Sequence, residues 1–192
     1  MNTSDLKQEF TKAFDTKPER VFFSPGRINL IGEHTDYNGG HVFPCAITIG
    51  TYGVYAPRTD TAVRMYSANI PDAGIVTFDV NDLSYDKAAG WTNYPKGMMD
   101  EIAKTGVKFD HGFDFYVHGN MPDGAGLSSS ASIELLTGIM LNTGFNLGIS
   151  QLDLVKIGQK CENNYVGVNS GIMDQFAVGM GKKDQAILLD TN

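Results

Sequence analysis

A candidate strand, a loop of small residues and a candidate helix follow one another within residues 113–141, which read FDFYVHGNMPDGAGLSSSASIELLTGIML. Apolar and polar residues alternate over residues 113–118, as they do in a half-buried strand. A helix is predicted from about Ser129 to Leu141. Between the two, small residues let backbone N–H groups point inward, and the N-terminus of the helix adds partial positive charge. The loop is therefore predicted to bind an anion such as a phosphate chain.

This loop differs from two well-known phosphate-binding motifs. A Walker A loop requires Gly-Lys-Ser/Thr, whereas Gly181-Lys182 is followed by Lys183 and has Phe176 in place of the leading glycine. A Rossmann fingerprint requires a third glycine where Ser129 lies. From the loop alone, an ordinary serine-rich helix N-cap is the interpretation that we favour.

Composition favours a folded globular domain that does not bind nucleic acid. The 192 residues contain 15 Lys+Arg against 22 Asp+Glu, a formal net charge of −7, and 42% of them are hydrophobic. The sequence has neither an apolar run of about 18 residues nor a signal-peptide pattern. Cys45 and Cys161 are too few and too far apart for a disulfide framework or a thiolate metal site. We therefore expect one domain, no membrane association and a cytoplasmic location.

The remaining sequence predicts strands mainly in the first half and helices in the second. Ser4 is predicted to cap a first helix that ends before Pro18. Pro25-Gly26 is predicted to interrupt a strand, and a last strand is predicted over residues 185–189. The other predicted strands span residues 21–24, 28–31, 46–56, 62–67 and 75–80, and further helices are predicted to begin near Asn93, Ser150 and Ile172.

A second polar segment lies at residues 24–40, SPGRINLIGEHTDYNGG. Hydrogen-bonding side chains crowd the stretch from Glu33 to Asn38, which glycines flank. Such a surface suits a ligand with several hydroxyl groups. The alternative is a solvated hairpin turn, because Asn-Gly is itself a turn signal. His34 has no second His or Cys at ligand spacing, so a metal site is not predicted there.

A third segment, residues 168–177 (VNSGIMDQFA), contains one carboxylate among apolar residues. Burying Asp174 without a role would be energetically expensive, which makes it a candidate functional group. The alternative is the exposed face of a short helix. Glu162, on the preceding predicted helix, is by its pattern a solvated residue.

In this order, the three segments resemble the galactokinase family, which belongs to the GHMP small-molecule kinases, and the resemblance extends over all 192 residues. The Gly-Leu-Ser-Ser-Ser-Ala loop is shared across the superfamily and implies ATP. The run from Gly26 to Gly40 is more specific to the family. The resemblance implies an α+β fold, the GHMP-kinase N-terminal domain, in which a mixed sheet is layered with helices. It also implies phosphoryl transfer from ATP to the C1 hydroxyl of D-galactose, with Mg²⁺.

The resemblance implies a role for each matching position. Sugar hydroxyls would be bound by Glu33, His34, Thr35 and Asp36, and the anomeric end covered by Asn169, Gly171 and Asp174. The phosphates of ATP would be wrapped by Gly124, Ala125, Gly126, Leu127, Ser128, Ser129 and Ser130, with Ser67, Trp91 and Tyr94 near the nucleotide. Mg²⁺ would be held by Ser130 and Glu162. Asp174 would be the general base, with Arg27 as the cation beside it and the transferring phosphoryl group.

Members of this family continue into a second domain that covers the cleft. We therefore expect residues 1–192 to form the N-terminal domain alone, with little activity of its own and a tendency to self-associate through the uncovered face. Two other functions are consistent with the sequence. One is a sugar and nucleotide sensor without turnover, against which the presence of both Arg27 and Asp174 argues. The other is a related kinase acting on a close sugar analogue such as N-acetylgalactosamine.

Overall fold

The computed structural model describes residues 2–122 and 124–192. Its helices are α1 (Thr3–Phe14), α2 (Asn93–Ala103), α3 (Ser129–Gly144), α4 (Gln151–Lys160) and α5 (Met173–Met180). Its strands are β1 (Arg20–Asn29), β2 (His41–Val42), β3 (Pro44–Pro57), β4 (Ala62–Ser67), β5 (Val76–Asp79), β6 (Phe113–Gly119) and β7 (Leu189–Asp190). Short 3₁₀ segments lie at Pro71–Ala73 and Lys87–Thr92, and a π-helix lies at Cys161–Val166. The predicted α+β class is confirmed.

Five strands form a mixed sheet in the order β1-β3-β6-β4-β5. Its neighbours are antiparallel except for β4 and β6, which run parallel. β1 pairs with β3 from Arg20 to Asn29, with a register shift between Pro25 and Arg27. The predicted interruption at Pro25-Gly26 is therefore wrong. The strand continues through a bulge, because β1 lies at the sheet edge, where a residue without an N–H group is tolerated.

Helix α1 covers one face of the sheet. Leu6, Phe10 and Phe14 are buried against residues of β3 and β6, among them Val54 and Tyr116. Strand β6 is consequently buried on both faces, and the predicted half-exposed strand is wrong because a helix covers its second face. The helix begins two residues earlier than a cap at Ser4 would set it, since Asn2 and Asp5 form a reciprocal capping box.

Helices α2, α3, α4 and α5 cover the opposite face. The sheet contributes inward-facing residues that alternate with those under α1, and the helices contribute large apolar side chains. This core contains Tyr55, Val63, Met65, Phe113, Phe115, Val117, Met98, Met99, Ile102, Leu136, Met140, Leu141, Ile157 and Cys161. Because α3 packs on the sheet and is also contacted by α2, α4 and α5, it is buried on most of its surface, and its N-terminus opens at the sheet edge beside β1.

The predicted strand over residues 185–189 is shorter than expected. Only Leu189–Asp190 is a strand, and it pairs with β2, so that His41 lies opposite Asp190 and Val42 opposite Leu189. The following residue Thr191 donates its backbone N–H to Gly40 O at 2.9 Å. In the part of the chain that the structure describes, the helices are too short or too polar to cross a lipid bilayer.

Candidate active site

Arg27 of β1 and Asp174 of α5 form an ion pair across 147 residues of sequence. The Nε and Nη2 atoms of Arg27 each lie 2.8 Å from Oδ1 of Asp174. The two side chains are 14% and 28% exposed, so both are largely desolvated while the carboxylate is still reachable. The predicted proximity of these two charges is confirmed. Their roles in catalysis stay predictions.

The same arginine holds the glycine- and serine-rich loop. Its Nη1 donates to Gly126 O at 2.6 Å, and its backbone N–H donates to Leu127 O at 3.1 Å. Gly126 has a left-handed φ of 67°, which a residue with a side chain rarely adopts. Ser128, the residue before α3, donates its hydroxyl to Oδ2 of Asp174 at 2.5 Å. The loop and the carboxylate are therefore parts of one hydrogen-bonded unit.

A cavity of about 330 Å³ lies over this unit. Its lining includes Arg27, Asp174, Met121, Pro122, Gly124, Ala125, Gly126, Leu127, Ser128, Ser129 and Ser130. The N-terminus of α3 opens at this loop, and Ser128 makes no side-chain bond to the first turn of the helix. Backbone amides at such a terminus, together with a guanidinium, can bind a phosphate group.

A second cavity of about 230 Å³ adjoins the first. Both are lined by Met121, Ser129 and Ser130, so the two form one continuous groove. The second cavity is also lined by Ser67, Trp91 and Tyr94, which the sequence analysis placed near a nucleotide. The structure therefore brings these three residues together with the loop. The buried Nε1 of Trp91 has no hydrogen-bond partner among the described residues, which leaves a donor available to a ligand.

The polar segment after β1 is tied to the start of α5 through Asp36. Its Oδ2 accepts a hydrogen bond from the backbone N–H of Met173 at 3.1 Å. The carboxylate of Asp36 also occupies the space that a β-carbon on Gly171 would need, so position 171 has room only for glycine. Two segments of the predicted sugar site therefore meet beside Asp174.

The other predicted sugar-binding residues make local hydrogen bonds or are exposed to solvent. The Thr35 hydroxyl lies 2.7 Å from Gly32 O and 2.8 Å from His41 O, so it supports the turn itself. His34 adopts a left-handed φ of 62°, and its Nδ1 lies 2.5 Å from Tyr37 Oη. Glu33 and Asn169 are exposed, and no hydrogen bond within residues 2–122 and 124–192 joins either of them to Asp174.

Glu162 is buried, contrary to the expectation of a solvated side chain. It is 7% exposed, because the π-helix after α4 turns it toward α3 and α5. Its Oε2 accepts hydrogen bonds from Ser170 Oγ at 2.7 Å and from Gln175 Nε2 at 2.8 Å. In the described part of the chain no hydrogen bond joins Glu162 to Ser130, the other predicted magnesium ligand.

The donor types at these positions nevertheless fit Mg²⁺. Among the described residues, no three His, Cys, Asp or Glu side chains are grouped as a metal site. Mg²⁺ does not require such a group, since it commonly takes one or two protein carboxylates and completes its shell with water and substrate phosphates. The Ser130 hydroxyl, which lines the cavity over the loop, and the Glu162 carboxylate are donor types of this kind.

Two buried residues of this region were missed by the sequence analysis. Glu134 and Gln175 are both 0% exposed, and Gln175 Nε2 bridges Glu134 Oε2 at 3.0 Å and Glu162 Oε2. Burial, and then the nearby charge of Glu162, raise the pKa of the Glu134 carboxyl well above its ordinary value. Only their positions in the sequence could have indicated them. Gln175 directly follows Asp174, and Glu134 lies one helical turn after Ser130.

Two family models match the chain. The galactokinase galactose-binding signature matches residues 8–57, and the GHMP kinases N terminal domain matches residues 93–182. A curated galactokinase from Lactiplantibacillus plantarum is 99% identical over all 192 residues. The chain belongs to the galactokinase family.

Other members of the galactokinase family agree with this assignment. A galactokinase from Levilactobacillus brevis is 59% identical over the whole chain. The chain spans about half the length of the curated relatives it matches, 50% in both cases. The solved structure of Lactococcus lactis galactokinase complexed with galactose superimposes with a TM-score of 0.94 at 50% identity, covering 98% of this chain and 49% of that one.

The fold also recurs beyond the galactokinase family. Methanococcus jannaschii mevalonate kinase superimposes with a TM-score of 0.75 at 18% identity over 90% of this chain and 53% of that one, which shows a shared fold and no more. The predicted GHMP-kinase N-terminal fold is confirmed. The galactose-binding signature match contains Arg27 and residues 33–36, whereas the GHMP match contains the loop of residues 124–130, Glu162 and Asp174.

Proposed function

We propose that this chain carries the catalytic groups of a galactokinase, which transfers the terminal phosphoryl group of ATP to the C1 hydroxyl of D-galactose. One observation supports this most strongly. Asp174 is hydrogen-bonded both to Arg27 and to Ser128 of the phosphate loop. The same carboxylate lies beside the contact between Asp36 and the start of α5. A base in this position faces a sugar on one side and a phosphate on the other.

In the proposed reaction Asp174 accepts the proton of the C1 hydroxyl as that oxygen attacks phosphorus. Arg27 keeps the carboxylate oriented through Oδ1, and its positive charge lies beside the loop where phosphate charge is concentrated. Such a preorganised cation stabilises the charge of the transferring group without reorganisation during the reaction. The two residues therefore act as one unit, with orientation and charge neutralisation coming from the same side chain.

The loop and its two cavities fit the nucleotide. The cavity at the N-terminus of α3 suits the phosphate chain, and the adjoining cavity with Trp91 and Tyr94 suits the base and ribose. Ser130 and Glu162 would hold Mg²⁺, which when bound would neutralise part of the phosphate charge. Hydrogen bonds from Ser170 and Gln175 hold the buried Glu162 carboxylate in place.

The segment around Asp36 would select the sugar. A site that hydrogen-bonds a hydroxyl rejects an analogue lacking it, because the buried polar groups are then left unpaired. Asp36 is already oriented by Met173 N and fixed by its contact with Gly171, so its second oxygen can be directed to a ligand. We propose that Asp36, with residues 33–35 of the same segment, sets the preference for galactose over its C4 epimer glucose.

We further propose that this chain forms one domain of the full-length protein, that the reaction takes place in the cytoplasm, and that the 192-residue chain alone turns over slowly and self-associates. Cys45 and Cys161 are free thiols, as expected in a reducing compartment. Both cavities are partly open to solvent, and phosphoryl transfer depends on positioning and exclusion of water.

An ADP-release assay with the full-length protein on a panel of sugars tests the proposal. Galactose should be turned over, with glucose slower by orders of magnitude, and the 192-residue chain should be much less active than the full-length protein. Turnover of N-acetylgalactosamine in preference to galactose would assign the site to the related kinase. Tight binding of galactose and ATP without ADP release would assign it to a sensor.

A further inference from the structure

Ser128 has an unusual backbone conformation. Within residues 2–122 and 124–192, left-handed φ values outside glycine occur at Asp15, His34, Ser128, Asn146 and Asp184. Aspartate, asparagine and histidine are enriched in this conformation, whereas serine is not. Ser128, with φ 59° and ψ 55°, therefore has a conformational cost that a glycine would avoid. A strained residue in a functional loop suggests that its side chain is needed there.

The hydroxyl of Ser128 is turned away from the helix that follows it. At an N-cap position, a serine oxygen ordinarily accepts a hydrogen bond from an amide of the first helical turn. Ser128 makes no such bond, and instead its Oγ donates to Oδ2 of Asp174 at 2.5 Å. The residue is only 8% exposed. The Ser128 hydroxyl therefore binds the Asp174 carboxylate and does not cap the first turn of α3.

Asp174 is consequently held at both oxygens. Arg27 contacts Oδ1, and Ser128 contacts Oδ2, so the plane of the carboxylate is set from β1 and from the loop. The loop is itself fixed to β1, since Arg27 N donates to Leu127 O. Each carboxylate oxygen has two acceptor sites, so Oδ2 can still accept a hydrogen bond from a substrate hydroxyl.

We infer that Ser128 is a positioning residue for Asp174, whose hydroxyl fixes the carboxylate in the orientation needed to accept the C1 proton. The inference rests on the proposed phosphoryl transfer and assigns Ser128 an effect through the base, in addition to its place in the loop that lines the nucleotide cavity. A small displacement of a reacting group reduces the rate sharply even when binding is retained.

The test uses Ser128→Gly and Ser128→Ala in the full-length protein. Glycine relaxes the left-handed backbone and removes the hydroxyl, whereas alanine removes the hydroxyl and keeps the strain. Both variants should lower kcat by roughly 10- to 100-fold, with KM for galactose and the Kd for ATP changed less than about threefold. The melting temperature should be higher for the glycine variant than for the alanine variant. In an Asp174→Asn background, Ser128→Gly should reduce kcat little further, because the two residues act as one unit.

Three results would overturn the inference. The first is a Ser128→Gly enzyme with normal kcat while Asp174→Asn is inactive; this leaves the proposed function intact and removes only the role of Ser128. The second is weaker ATP binding at unchanged kcat, which makes Ser128 a phosphate contact alone. The third is a double variant, Ser128→Gly with Asp174→Asn, in which the loss of kcat equals the product of the two single losses. If Asp174→Asn itself keeps near-normal kcat, the proposed base is wrong, which is a separate failure.

Discussion

The carboxylate of Asp36 lies in the space that a β-carbon on Gly171 would occupy, and it accepts a hydrogen bond from Met173 N, 137 residues further along the chain. This contact joins the segment after β1 to the start of α5, although the two segments are far apart in the sequence. The orientation of Asp36 therefore depends on glycine at position 171, and the proposed sugar specificity depends on it too.

Gly171→Ala should impair galactose binding in the full-length protein. The added methyl displaces the Asp36 carboxylate, so we expect KM for galactose to rise by at least tenfold while KM for ATP stays within about twofold. Gly106→Ala is the matched control, because Gly106 has a left-handed φ of 97° with open space around it, away from the site. The control should lose stability, by about 1 kcal/mol or more, with KM unchanged. An equal rise of KM in both variants would show that general destabilisation is responsible.

Arg27→Lys and Asp174→Ala should both lower kcat in the full-length protein. General-base catalysis contributes about 10²–10⁴-fold, and a lysine lacks the planar fork of donors with which Arg27 contacts both the carboxylate and the Gly126 carbonyl. The combined loss should be smaller than the product of the single losses. Arg20→Lys on the same strand is the control, since Arg20 is about half exposed and pairs with exposed Glu19. Steady-state kinetics with galactose provide the comparison, and near-normal kcat in Asp174→Ala would place the base elsewhere.

Gln175→Met should destabilise the fold. The amide of Gln175 bridges two buried carboxylates, and its loss leaves both without this donor, at a cost of about 2–4 kcal/mol. Gln151→Met is the control, because Gln151 is exposed and its bond to Gly179 O lies at the surface. Urea denaturation at neutral pH compares the two. Equal midpoints for both variants would contradict a stabilising role for the buried bridge.

His118→Phe should reduce the acid sensitivity of the fold. Burial lowers the pKa of His118 below its usual 6.5, and its Nδ1 is buried without a partner among the described residues. The unfolded chain therefore binds this proton more readily, so stability is lost as pH falls through and below about 6.5. Removing the imidazole should make the free energy of unfolding less dependent on pH between about 7 and 5. An unchanged slope in chemical denaturation across that range would rule out this contribution.

Nucleotide binding should be visible through Trp91, which is the single tryptophan of the chain and lines the second cavity. Titrating ATP into the 192-residue protein should change its tryptophan fluorescence, because stacking on a nucleotide base alters the environment of the indole. Gly126→Val, which forces a branched side chain onto a left-handed φ, should weaken the response. A fluorescence change with galactose alone and none with ATP would place the sugar in this cavity instead.

The sequence by itself determined the local elements that build the site. Helix α4 begins after Ser150, which caps it as predicted, because an N-cap serine and the side chain three residues on form a local interaction. The loop of small residues before α3 and the polar segment before β2 were recognisable because glycine and serine patterns report backbone conformation directly. Errors arose where the sheet overrides local signals: Pro25 is tolerated at an edge, and β6 is buried on both faces.

Tertiary structure alone decided which of these residues meet. Arg27, Ser128 and Asp174 lie on three elements, and only the packing of α3 and α5 against β1 brings their polar atoms within 2.5–2.8 Å. The burial of Glu162 and its bridge through Gln175 to Glu134 likewise follow from the π-helix and from helix packing. Sequence patterns encode the period and the ends of elements, whereas contacts between distant residues follow from how those elements pack, which no local pattern specifies.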